Sequence, residues 1–173
     1  MSDGPSTVEV DVLVEAGPWE GVPDAAGLVA RAVLAACAGA LEEYEIDIEG
    51  AEIAVKLTDD DAIRALNRDW RGKDYATNVL SFPTPEMARA GGDPHLGDIA
   101  IAFGTLEREA REEGKALADH LAHLAVHGTL HLLGYDHEVA EEAEEMEAME
   151  RHVLAGLGVP DPYSETEPVP QPD

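Results

Sequence analysis

Residues 96–133 read LGDIAIAFGTLEREAREEGKALADHLAHLAVHGTLHLL. The first eight form an apolar strand; from Thr105 the apolar spacing becomes that of a helix, which reaches Leu133 with one break near Gly114. Upstream, residues 79–82 form a short strand stopped by Pro83 and Pro85, and residues 86–95 read as a loop. Further back, Ile53, Val55 and Leu57 share one face of a strand over 52–57. Thr58 followed by Asp61 resembles a capping box and predicts a helix over 59–70. Pro23-Asp24 opens an Ala- and Leu-rich helix to about residue 41. Before it, Val8, Val10, Val12 and Val14 alternate with Glu9, Asp11 and Leu13 at the period of a strand. Downstream, a last helix is predicted over 138–154. Strands on either side of a helix, then a strand pair, then a run of helices, predict an α+β fold: a single domain with a small mixed β-sheet packed against helices.

The whole chain has 173 residues, one domain's worth at roughly 150 residues per domain. Residues 1–7 are polar and aperiodic and are expected to be disordered; the domain spans 8–157. Residues 158–173, rich in Pro and acid, predict a disordered tail that buries too little apolar surface to offset its ordering entropy. The apolar fraction is 45%, but 27 of those residues are Ala, so Val, Ile, Leu and Ala must build the core. Cys37 is alone, which excludes an internal disulfide and a thiolate cluster. With no basic start and apolar run of a signal peptide, the expected location is cytoplasmic. The longest apolar stretch, residues 25–41, is interrupted by Arg31 and falls short of the roughly 20 residues of a membrane span. The formal net charge of -26 argues against binding of bulk nucleic acid, which needs a basic surface.

The helix that decides the fold also carries the chemistry. His127 and His131 are four residues apart, so they lie one turn apart on one face and can share a metal ion. Gly134 permits the left-handed turn that ends a helix, bringing His137 back to the same ion. Three imidazoles on one zinc ion leave a fourth position for water, the pattern of a catalytic site at the end of the central helix. His120 and His123 fall near the same face, and spacing alone also allows His123 and His127 as the helical pair. The later pair is preferred because only it is followed by a glycine turn and a third histidine. His123 is then expected to line the groove and His120 to lie at the surface. His95, in a loop, and His152, on the last helix, are expected to be structural or exposed.

The spacing is that of the metzincin proteases, with Gly128 where those enzymes carry their glutamate base. That makes a metallopeptidase the weaker expectation. The glycine is expected to leave open space beside the metal, suited to a phosphodiester.

Four of the 11 basic residues fall between Arg64 and Lys73, so residues 64–74 carry a surplus of two positive charges. Arg64 and Arg68 are expected to be a solvated helical face. Arg71, beside Gly72, can project, and its planar fork matches phosphate oxygens.

Leu66-Asn67-Arg68-Asp69-Trp70-Arg71-Gly72-Lys73-Asp74, Thr77-Asn78-Val79-Leu80-Ser81-Phe82-Pro83, Leu96-Gly97-Asp98-Ile99-Ala100-Ile101 and the segment His127 to His137 resemble, in order, the motifs of the YbeY endoribonucleases, bacterial rRNA maturation factors. The resemblance implies a metal-dependent endoribonuclease with one zinc ion on His127, His131 and His137, and Arg71 as the functional arginine. It implies action on single-stranded rRNA, in 16S rRNA 3' end processing and ribosome quality control, with the ribosomal subunit or its proteins as further partners. Where many members carry Asp, this chain has Asn78. Asp136 is expected either to support a ligand or to cap the turn, and Ser81 to be structural. The alternative is a non-enzymatic ribosome assembly factor with a structural zinc.

Overall fold

The computed structural model describes residues 8–44, 50–92, 94–135 and 139–163. Asp136, His137, the first seven residues and the last ten therefore lie outside the described residues. β1 (Glu9–Val14), β2 (Glu52–Thr58), β3 (Val79–Pro83) and β4 (His95–Ala102) form one mixed sheet in the order β1-β2-β4-β3. β1, β2 and β4 run parallel, and β3 closes one edge antiparallel to β4. The helices are α1 (Ala25–Tyr44), α2 (Asp60–Arg71), α3 (Glu86–Ala90), α4 (Phe103–Glu113), α5 (Leu117–Leu132) and α6 (Ala140–Gly156). The α+β class and the small mixed sheet follow the sequence reading.

Strand periodicity assigns the two faces. Ile53, Val55, Leu57, Ile99 and Ile101 join α1 and α5 in the main core. Ala100, Ala102 and Leu80 point the other way, where Ile63 of α2 covers them in a second, smaller cluster. α5 and α2 thus pack on opposite faces of the sheet. α6 lies against α1 and α5, and Gly39 of α1 leaves room for Met149 and Val153. α1 has the length and composition to cross a membrane. Its apolarity is accounted for by the core, because Val29, Val33, Ala36 and Ala40 have no exposure at all.

Local details depart from the sequence reading for identifiable reasons. Asp59, not Thr58, caps α2, its carboxylate accepting from the Ala62 N–H at 2.9 Å. The carboxylate of Asp59, one residue nearer the helix, takes its own N3 donor, Ala62, where a cap on Thr58 would take the Asp61 N–H. Asp60 is then used across space, accepting from the Thr105 N–H (2.9 Å) and hydroxyl (3.0 Å) in the first turn of α4. The expected loop over 86–95 contains α3, a single short turn of helix, and His95 already belongs to β4.

Candidate metal centre

α5 carries the site because its two sides do different work. The side toward the sheet holds Gly128, where a Cβ would come within 3.1 Å of Ile99 and 3.2 Å of both Val79 and Ser81. This corrects the expectation of open space beside the metal. Position 128 lies about 100° round the helix from His127 and faces β3 and β4, so the glycine serves close helix–sheet packing. Ser81 has the structural role expected of it, its hydroxyl donating to the Gly128 carbonyl at 2.9 Å. A glutamate at 128 would be driven into the sheet.

The other side carries the histidines. The rings of His127 and His131 are 4.7 Å apart, centre to centre, at 81°. His123 lies one turn earlier, its ring 6.3 Å from that of His127. After α5, Gly134 takes φ +105°, as the sequence predicted, and the Tyr135 N–H closes the turn on the Leu130 carbonyl at 3.0 Å. Tyr135 is buried and donates its hydroxyl to Glu43 at 2.7 Å.

Facing His123 and His127 is Glu150 of α6, with 0% exposure. One carboxylate oxygen lies 2.5 Å from Nδ1 of His127. The other lies 3.2 Å from Nε2 of His123 and accepts the Tyr163 hydroxyl. Burial alone would raise the Glu150 pKa, but hydrogen bonds from His123 and His127, with their charge, bring it down to about 2. Burial and the neighbouring Glu150 charge push the Tyr163 hydroxyl well above its usual range. The ligand atoms of His123, His127 and Glu150 lie within 4.8 Å of one another, so this group can hold a metal ion.

Sequence reasoning missed Glu150 and Tyr163. By composition, Glu150 is one of seven acidic residues between Glu138 and Glu150, a pattern that reads as a solvated helix. A signal was present: Met146, Met149, Val153 and Leu154 surround it at helical spacing and are all buried, so position 150 falls inside the apolar stripe. Tyr163 sat in the expected tail, yet residues 159–163 pack back onto α5 and α6. Pro162 is buried with its carbonyl 3.3 Å from Lys115 Nζ, and Arg151 lies 5.2 Å from the Tyr163 ring centre.

His120 is likewise not at the surface. It is 4% exposed and 2.9 Å from Glu109, which also accepts from the Asn78 amide at 2.9 Å. Burial lowers the His120 pKa, with Glu109 opposing. The amide donor explains why Asn suits position 78 here: an aspartate would set one carboxylate against another. His152 is exposed, and His95 is part-buried beside Asp98 at 3.1 Å.

Arg71 ends α2 on the opposite face of the sheet, exposed, before Gly72 at φ +71°. Arg64 pairs with Asp74 at 2.8 Å and Arg68 with Asp69 at 3.1 Å, whereas the side chains of Arg71 and Lys73 make no ion pair among the described residues. Trp70 packs on Phe82, ring centres 6.5 Å apart, which sets the last turn of α2 over the end of β3. On the other face, Leu132 approaches Gly97, which pairs with Pro83 at that same end. Arg71 and His131 therefore flank one end of the edge strand from opposite faces, and the structure does not join them in a single cluster.

Comparison with known proteins agrees with this architecture. The family model described as Endoribonuclease YbeY matches residues 25–158. A relative from Azorhizobium caulinodans, named Endoribonuclease YbeY, is 54% identical over 91% of this chain and 97% of its own. One of the same name from Bradyrhizobium sp. is 53% identical over 91% and 93%. The fold is similar to the solution structure of a Thermotoga maritima protein, with a TM-score of 0.51 and 24% identity over 94% of this chain and 99% of that one. With more than half its length matched by the family model, and relatives above 50% identity along nearly all of it, this chain belongs to the endoribonuclease YbeY family.

Proposed function

We propose that the protein is a cytoplasmic, zinc-dependent endoribonuclease that cuts single-stranded segments of precursor rRNA, in 16S rRNA 3' end processing and ribosome quality control. Family membership supports the endoribonuclease role. The observation that carries the metal dependence is the His127–His131 pair, one helical turn apart with ring centres at 4.7 Å, backed by a buried carboxylate on Nδ1 of His127. That donor set fits zinc, which favours imidazole nitrogen and a second layer of carboxylate.

In this reading His127, His131 and His137 hold one zinc ion, and zinc supplies Lewis-acid polarisation of a phosphoryl oxygen. The protein's own part is to bind and orient the RNA. Arg71, projecting beside Gly72 without an ion-pair partner among the described residues, meets the charge that grows on the phosphate. The net charge of -26 requires that RNA be placed by local contacts of this kind or by a ribosomal partner. Peptide cleavage is disfavoured because Gly128 faces the sheet and leaves no place there for a glutamate base.

The test is cleavage of a single-stranded RNA by the metal-loaded protein. Chelation should abolish cleavage and added zinc restore it. Arg71→Ala should lower the rate by about 100-fold, the scale for one lost transition-state contact. His131→Ala should lose cleavage yet stay folded; unfolding on loss of metal would instead support the structural zinc of an assembly factor. Cleavage indifferent to both chelation and Arg71→Ala would sink the proposal.

A further inference from the structure

A carboxylate with no exposure is costly to bury, and it persists where neighbours satisfy it and its geometry is used. Both oxygens of Glu150 are committed. One meets Nδ1 of His127 at 2.5 Å; the other meets Nε2 of His123 at 3.2 Å and the Tyr163 hydroxyl. A carboxylate already accepting three donors has little left for a cation. By accepting from Nδ1 of His127 it holds the proton on that nitrogen, which makes Nε2 the basic one. His123 is turned the opposite way, its Nε2 toward the carboxylate and its buried Nδ1 without a hydrogen-bond partner among the described residues.

The segment after α6 holds this arrangement shut. The Asp161 carboxylate accepts from the Tyr163 N–H at 2.8 Å and pairs with Arg151 at 3.3 Å. Lys115 of the α4–α5 turn donates to the Pro162 carbonyl at 3.3 Å. The Tyr163 ring meets His123 edge to face, centres 5.6 Å apart. Two helices and a turn thus converge on one hydroxyl that points at Glu150.

We infer that Glu150, clamped by Tyr163, is a positioning residue: it fixes the tautomer and ring angle of His127 so that Nε2 is presented to the metal. The inference rests on His127 being a metal ligand, as proposed above. It separates the two helical pairs that spacing alone allowed, because His123 spends its Nε2 on the orienting carboxylate.

Two measurements on the purified full-length protein test it. The first is zinc affinity, by competition with a chromophoric chelator. Glu150→Gln should weaken binding by about 10- to 100-fold, the usual loss when a carboxylate behind a histidine ligand is replaced. Tyr163→Phe should weaken it less, by several-fold. The second is ring-nitrogen NMR of the metal-free protein, in which His127 should carry its proton on Nδ1 in the wild type and show mixed tautomers in Glu150→Gln. Unchanged affinity with an unchanged tautomer would overturn the inference. So would a loss as complete as that of His127→Ala, which would make Glu150 a ligand. A wild type that binds no zinc, with its tautomer still set by Glu150, would overturn the metal assignment of His127 and any metal role for the orientation with it. If Glu150→Gln does not fold, Tyr163→Phe decides alone: equal affinity and an unaltered tautomer there count against the clamp.

Discussion

Carboxylates meet nitrogen groups at similar distances in two regions of this protein. Between α5 and α6, Glu150, itself with no exposure, meets His127 at 2.5 Å and His123 at 3.2 Å. At the end of α2, Arg64 meets Asp74 at 2.8 Å and Arg68 meets Asp69 at 3.1 Å, with more than half of each side chain exposed. The distances overlap, so distance does not rank them. Water does: it screens the surface pairs until they contribute little, whereas a buried carboxylate without its donors would be left unsolvated. The interior region is accordingly built to hold one geometry, whereas exposed pairs at the surface add little to hold theirs.

The largest expected effect breaks the interior region. Glu150→Ala strands the donors of His123, His127 and Tyr163 and should cost about 3 kcal/mol in urea unfolding of the metal-free protein. Acid should do the same gradually. The Glu150 pKa lies near 2 against an ordinary 4.5, so the stability it contributes is whole above pH 4.5 and is lost as pH falls toward 2. The stability gap between wild type and Glu150→Gln, followed by denaturant titration across that window, should therefore narrow. A smaller effect tests the wall behind the histidines. Gly128→Ala gains helix propensity but presses on Ile99, Val79 and Ser81. Overpacking should outweigh the gain and leave a net loss of about 1 kcal/mol in thermal unfolding. The smallest effect belongs to the surface: Arg64→Ala should leave the melting temperature unchanged within scatter. A clear drop there would remove the contrast between the two regions.

The same contrast explains what was legible in the sequence. The strands at 52–58 and 95–102 and the helices around them are long enough for periodicity to speak, and the spacing of His127 and His131 with Gly134 reports the helix face and its end directly. α3 escaped because one turn of helix has no period to detect. Glu150 escaped because charge was counted by composition, while the four apolar neighbours that bury it sit at positions 146, 149, 153 and 154 of the same helix. His120 and Tyr163 depend on Glu109 and Glu150, partners 11 and 13 residues away. Gly128 was read by its chemistry beside His127, when its side of the helix, the one against β3, decides its role.

Chain order also gives the histidine layer a timetable. Glu150 follows His127 by 23 residues, and Tyr163 follows Glu150 by another 13. Since a chain is made from its N-terminus at about 5–20 residues per second, α5 exists for seconds before the carboxylate that orients its histidine has been synthesised. The clamp arrives later still. The sheet and α5 are thus complete in sequence while His127 still lacks its orienting partner, and the ring is locked only once Tyr163 has been made.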